Sequence, residues 1–174
     1  MLEVGCGRGD LALALAAAGH DVTAIDPAAP EGAIFRRVLL EEFDESGPFD
    51  AVVARVSLHH IEDLSGALDR ITGLLGAGGV LVLEEFAKER FTDATASWYY
   101  EQREGSEPRS DLSDIHGFAE MRRELDRRFT ERLFVWVPYL YSWDLDPALE
   151  PVERRLIESG EIEATGFRYV GDAR

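Results

Sequence analysis

Near the start of the chain, Gly5-Cys6-Gly7-Arg8-Gly9 places glycine at every second position. Glycines so spaced leave no side chain to collide with a ligand brought against the backbone, and a helix starting just beyond them offers unpaired N–H groups. The order G-x-G-x-G differs from the dinucleotide fingerprint G-x-G-x-x-G, yet Gly7-x-Gly9-x-x-Ala12 satisfies its G-x-G-x-x-A variant, so the loop alone does not name its ligand. Asp26 sits close to the roughly 20-residue offset at which a carboxylate accepts both hydroxyls of a ribose, which implies a nucleoside; the bland reading makes it an Asx-type turn residue before Pro27. His59 and His60 are adjacent imidazoles that titrate near neutrality and suit proton transfer or the orientation of a reacting group, or simple packing. Cys6 lies near a helix start, a setting that lowers a thiol pKa, although a small ligand-lining role is the simpler reading. Glu84 and Glu85 read as edge acids, solvated or facing a cationic substrate. Trp98, Tyr99, Tyr100, His116, Tyr139, Tyr141 and Trp143 supply aromatic surface for an acceptor pocket or for core.

The elements that must position these groups are legible from periodicity. Leu2-Glu3-Val4 is a short strand running into the glycine loop, after which Leu11, Ala12, Leu15 and Ala16 recur at helical spacing until Gly19-His20. Val22 to Ile25 forms a second strand ending on Asp26-Pro27, and a third is expected from Phe35 to Leu39, ahead of the acidic stretch Glu41 to Glu45. Phe49 to Ala54 is apolar nearly throughout, as in a central parallel strand covered on both faces. Leu64, Leu68, Ile71 and Leu75 form one helical stripe ended by Gly76-Ala77-Gly78-Gly79, and Val80 to Leu83 is a fifth strand. Later, Phe118, Met121, Leu125 and Phe129 make a helical stripe, and Leu133 to Tyr141 reads as a strand with Tyr139 and Tyr141 on one side. Asp146-Pro147 starts a helix through about Ser159, and Gly166 to Val170 is a last strand. Alternating strands and helices predict a doubly wound α/β sheet, with the last strand inserted antiparallel.

The 174 residues predict one domain, with residues 1–86 as its ligand-binding half and 87–174 completing the sheet on the substrate side. Lys plus Arg number 18 and Asp plus Glu 34, a net charge of −16 that repels phosphate backbones and makes nucleic acid an unsuitable partner. No apolar run is long enough to span a membrane and no basic, then apolar leader opens the chain, so a cytoplasmic protein is expected. With one cysteine there is neither an intrachain disulfide nor a Cys-based metal cage, and no metal site is expected.

Four segments in order, Leu2-Glu3-Val4-Gly5-Cys6-Gly7-Arg8-Gly9, Asp26-Pro27, Phe49-Asp50-Ala51-Val52-Val53 with Ser57-Leu58-His59-His60-Ile61, and Leu75-Gly76-Ala77-Gly78-Gly79-Val80-Leu81, resemble the class I S-adenosylmethionine-dependent methyltransferases. The likeness is close over residues 1–86. It implies a Rossmann-like, doubly wound sheet of seven strands, mostly parallel with the last antiparallel, and methyl transfer from S-adenosylmethionine, leaving S-adenosylhomocysteine. By the same resemblance Gly5, Cys6 and Gly7 line the methionine moiety, Glu3 orients its amino group, Asp26 holds the ribose and Pro27 packs near the adenine. Arg55 and Val56 fall where the family holds the methionine end, and Arg55 pairs either its carboxylate or a protein acid such as Glu84. The acid that accepts from the adenine amino group moves to Glu41 or Glu42, since Leu39-Leu40 occupies its usual place. The family normally begins with helices that form a lid, whereas Met1 stands directly before the first strand, so N-terminal lid helices are expected to be absent. An apolar patch left without a lid would be covered by a partner, which a homodimer would supply.

Methyl transfer from a sulfonium needs mainly positioning and, for an O–H or N–H acceptor, a base, for which His59 and His60 are the candidates. The expected activity is methylation of a small-molecule acceptor. A truncated or inactive methyltransferase-like binding or scaffold protein is the alternative, and a nicotinamide oxidoreductase lacks a recognisable hydride site.

Overall fold

Five parallel strands form first: Leu2–Val4 (β1), Thr23–Ile25 (β2), Phe35–Arg36 (β3), Phe49–Arg55 (β4) and Leu75–Phe86 (β5). Asp10–Ala17 (α1) follows β1, and Leu64–Leu74 (α2) links β4 to β5. Asp93–Gln102 (α3), Phe118–Arg128 (α4), Phe129–Val137 (β6), Leu140–Trp143 (α5), Glu150–Ser159 (α6) and Gly166–Ala173 (β7) complete the order. The structure is a computed structural model that describes residues 1–44, 47–103, 112–143 and 145–174. The end of the acidic stretch, Glu45, lies outside the described residues.

The sheet has seven strands in the order β3-β2-β1-β4-β5-β7-β6, and β7 inserts between β5 and β6, antiparallel to both. That is the inserted last strand expected from the sequence. Several boundaries differ. The third strand is only Phe35–Arg36 rather than reaching Leu39. Phe129, placed by periodicity on a helical stripe, opens β6 because its backbone pairs with Ala173 of β7, while its ring stays in the core. Tyr139 and Tyr141 do not share a strand side: Pro138 has no N–H for the ladder, so β6 stops at Val137. The freed N–H groups of Tyr139, Leu140 and Tyr141 all donate to the buried carboxylate of Glu153 on α6, at 2.8, 3.1 and 2.9 Å.

The main core lies on one face of the sheet. Ala67, Leu68 and Ile71 of α2 and Met121 and Leu125 of α4 pack there against Val52, Ala54, Leu81, Leu83 and Tyr169. α2 starts where it does because the Asp63 carboxylate accepts from Gly66 N at 2.9 Å, a side-chain N-cap. The other face is covered differently. β4 was expected to be buried on both sides, but only Val52 and Ala54 are buried while Ala51 and Val53 are half-exposed. Register places Val53, Val82, Val170 and Leu133 in one row across β4, β5, β7 and β6. Beside it runs a charged ladder in which Arg55 and Arg168 both donate to Glu84, at 3.0 and 2.5 Å. Among the described residues no helix is long and apolar enough to cross a membrane.

Candidate active site

β1 is flanked by β2 on one side and β4 on the other, so the strand order reverses there and the carboxyl ends of the three strands open a crevice, the place where open α/β sheets bind ligands. The glycine loop caps β1. Gly5, Gly7 and Gly9 have φ of 74°, 50° and 83°, a left-handed run that L side chains rarely adopt. Gly5 N and Cys6 N both donate to Ile25 O, at 2.9 and 3.1 Å, which ties the loop to the end of β2. Ser57 Oγ donates to Val4 O at 3.0 Å from the other side, and a Cβ at Gly5 would overlap Ser57 Cβ. A Cβ at Gly7, by contrast, would meet nothing within 4 Å: Gly7 borders open space.

Asp26 joins the two readings given to it. Its Oδ1 accepts from Ala28 N at 2.7 Å as an Asx turn does, and its Oδ2 accepts from Gly7 N at 3.0 Å, fastening the carboxylate to the loop. Each oxygen keeps a lone pair for a further donor. The carboxylate borders a cleft of about 730 Å³. Gly5, Gly7, Asp26 and Pro27 line it from β1 and β2, Leu39 to Glu42 from the segment after β3, and Val56, His60 and Ile61 from the segment after β4. Of the residues singled out from sequence, Gly5, Gly7, Asp26, Pro27, Glu41, Val56 and His60 thus meet around one cavity.

The remaining four stand off its lining. Glu3 is 3 % exposed; burial raises its carboxyl pKa to about 7, against the lowering pull of the Ala12 N–H and Arg55. Its Oε2 has no hydrogen-bond partner among the described residues. Cys6 is buried with Ala12, Val22, Ala24 and Ala29, and burial together with Glu3 and Asp26 pushes its thiol up to about 11, the reverse of the activation a helix start would give. Arg55 takes the second of its two readings, pairing with Glu84 in the ladder on the half-exposed sheet face. His59 is buried, its Nδ1 donating to Glu85 Oε2 at 2.5 Å.

Glu85, read from the sequence as an edge acid that is solvated or faces a substrate, is neither. It is fully buried, and its Oε1 accepts from Ser57 N and Leu58 N at 2.9 and 2.7 Å, so one carboxylate organises the turn leaving β4. Strand alternation carried the signal: Glu85 is two and four residues beyond the inward Leu83 and Leu81. The same turn holds Val56 at φ 54°, the one non-glycine residue with positive φ among the described residues, a costly conformation for a β-branched side chain. His60 packs against His59 with ring centroids 4.1 Å apart and the rings tilted by 45°, and burial, then the neighbouring His59, lower its pKa, which keeps the ring neutral and able to accept a proton. Phe86, Tyr99, Tyr139 and Leu140 form a separate aromatic core against which Val56 and Trp143 pack, so much of the late aromatic set supports the cleft wall. His116 is not among them; it bonds to Ile61 O and Glu120.

Residues 1–132 match the sequence profile of a family described as "Methyltransferase domain". An uncharacterized methyltransferase of Mycobacterium bovis is 39 % identical over 102 residues, covering 49 % of this chain and 50 % of its own length. A ubiquinone biosynthesis O-methyltransferase of Rhodopseudomonas palustris is 31 % identical over 96 residues, 48 % of this chain and 38 % of that protein. The chain therefore spans about half the length or less of these curated relatives. Among solved structures, an S-adenosylmethionine dependent methyltransferase from Mesorhizobium loti superposes with a TM-score of 0.65 at 14 % identity, over 98 % of this chain and 89 % of that one.

Proposed function

The chain belongs to the methyltransferase-domain family and has the fold of an S-adenosylmethionine-dependent member; from this premise we propose that it binds S-adenosylmethionine in the cleft at the end of β1 and methylates a small-molecule acceptor. The observation that carries the reading is Asp26, a carboxylate fastened to the glycine loop at Gly7 yet bordering a cavity of nucleoside size.

The residues present fit the cofactor. The open backbone at Gly7 leaves room that a side chain would fill, Asp26 offers acceptors for a ribose diol, and the orphaned Oε2 of Glu3 is a buried acceptor near the loop for an ammonium group. Leu39 and Leu40 give an apolar wall for an adenine, with Glu41 at its rim as an acceptor. Bound S-adenosylmethionine supplies an activated methyl on a sulfonium, so the chain's own task is to orient donor and acceptor and exclude water. His60, neutral and on the cleft wall, takes the proton of an O–H or N–H acceptor; His59, clamped by Glu85, positions it. A net charge of −16 disfavours nucleic acid, which supports a small acceptor.

Isothermal titration with S-adenosylmethionine, S-adenosylhomocysteine and NAD tests this directly. The first two bind and NAD does not, and Asp26→Ala weakens S-adenosylhomocysteine by about 2–3 kcal/mol through loss of charge-assisted hydrogen bonds, roughly 30- to 150-fold. Unchanged affinity in Asp26→Ala removes the ribose assignment. Binding of none of the three leaves a methyltransferase-like binding or scaffold protein.

A further inference from the structure

The cleft wall after β4 is held from two sides. From within the sheet, Glu85 grips Ser57, Leu58 and His59. From outside, a residue two positions before α4 grips the following stretch: His116 N donates to His59 O at 3.0 Å, and the ring Nε2 lies 2.7 Å from Ile61 O. The two contacts bracket His60, and both His60 and Ile61 line the cleft. The other ring nitrogen, Nδ1, lies 2.9 Å from Glu120 Oε2 on α4.

Both partners of the ring are acceptors only: a backbone carbonyl and a carboxylate. A neutral imidazole carries one N–H and can satisfy one of them, leaving a lone pair against the oxygen of the other, whereas the imidazolium donates to both. We propose that His116 is a positioning residue that clamps the wall Leu58–Ile61 in its imidazolium form, so that occupation of the cleft is coupled to a proton on His116. The inference rests on the reading of this cleft as the S-adenosylmethionine site.

The surroundings agree with a cationic ring. Glu120 faces it from α4, and the Glu62 backbone adds a further acceptor beyond Ile61. Lys88 donates to the Leu112 and Ile115 carbonyls, and Glu89 accepts from Phe118 N at 2.9 Å, fixing the chain on either side of His116. Asp114 stands two residues before it, and His59 and His60 lie in the wall it holds. Partial burial works against the charge, and the hydrogen bonds to Glu120 and to the Ile61 carbonyl outweigh it, raising the His116 pKa above its ordinary value. The sign follows: the clamp is complete below about pH 6.5 and is lost as pH rises through the raised folded value. By linkage, a ligand that prefers the clamped wall binds more tightly at low pH and raises the His116 pKa further.

The test has two readouts. Nitrogen-15 correlation spectra of the imidazoles, taken over a pH series on the unliganded protein, are expected to show His116 protonated on both nitrogens with a midpoint above about 6.5, the ordinary imidazole value. Calorimetry then gives the affinity for S-adenosylhomocysteine from pH 6 to pH 9 in the wild type, His116→Gln and Glu120→Gln. Glu3 also titrates in this window, but it does so in every variant and cancels in the ratio to wild type. The wild type is expected to bind at least about fivefold more tightly than His116→Gln at pH 6, with the two converging at pH 9. Glu120→Gln, a surface change that keeps the fold if His116→Gln does not, moves the wild-type midpoint to lower pH. A ratio independent of pH, or a His116 midpoint at or below about 6.5, overturns the coupling alone. Failure of all three proteins to bind S-adenosylhomocysteine at any pH overturns the reading of the cleft and the coupling with it.

Discussion

Glu3→Gln should make the protein more stable at pH 8 while weakening its hold on the cofactor. Glu3 sits on β1 under α1, 3 % exposed, with a carboxyl pKa raised by burial from 4.5 to about 7. A raised folded value means that the native state prefers the protonated acid. The unfolded chain loses its proton near pH 4.5 and the folded chain only near pH 7, so the native state is penalised increasingly between those values and fully above them. A shift of about 2.5 pH units corresponds to roughly 3 kcal/mol, of which about 2.5 kcal/mol develops between pH 5 and pH 8. Gln keeps an acceptor for the Ala12 N–H and carries no charge, so it escapes this penalty. Urea unfolding of both proteins at pH 5, 6, 7 and 8 reads the effect as a difference that grows with pH. With an m-value of about 2 kcal/mol per molar urea, the midpoint of the variant should exceed that of the wild type at pH 8 by about 1.5 M. The other carboxylates are common to the pair and drop out. A difference below about 0.5 kcal/mol that does not change across the series would refute the desolvated carboxyl. In calorimetry the variant should bind S-adenosylmethionine more weakly at pH 8, since the buried charge is what an ammonium group would pair with, and an unstable, strained site is a common accompaniment of function.

Gly5→Ala should combine an overlap with Ser57 and an L side chain at φ 74°, costing about 2 kcal/mol or more in stability and abolishing cofactor binding in calorimetry, while Gly7→Ala, with open space at its Cβ, should fold far better yet still bind poorly. Glu153→Ala leaves three backbone N–H groups of the β6 to α5 connection without their acceptor and should lower stability by about 3 kcal/mol in chemical denaturation, with intrinsic tryptophan fluorescence reporting loosening around Trp143.

The first half of the fold was legible because its signals are local. A strand that runs into alternating glycines, an apolar helix, and a second strand closed by Asp26-Pro27 are fixed by residue type and spacing over about two dozen positions. The stripe Leu64, Leu68, Ile71 likewise names α2. Beyond α3 the reading weakened for a physical reason. Phe129 satisfies helical spacing, but pairing with Ala173, some forty residues later, takes its backbone into β6. Tyr139 and Tyr141 alternate like strand residues, but Pro138 ends the ladder and Glu153 draws the following N–H groups into a turn.

The site divides in the same way. Sequence by itself determined which loop residues come together: Gly5, Gly7, Asp26, Pro27, Val56 and His60 stand around one cleft because each follows or precedes a strand whose place in a parallel sheet is set by its pattern. Only the tertiary structure decided what supports them. Arg55 could pair with either of two carboxylates, and the register of β4 on β5 gave it Glu84. Adjacent His59 and His60 are equivalent in sequence, and the depth of the Glu85 carboxylate buried one while leaving the other on the cleft wall. His116 entered the sequence reading only with the late aromatic set, and its role was hidden because one of its two acceptors lies fifty-five residues before it. Hydrogen bonds and burial between elements distant in the chain depend on how the layers pack, and no spacing along the chain encodes that.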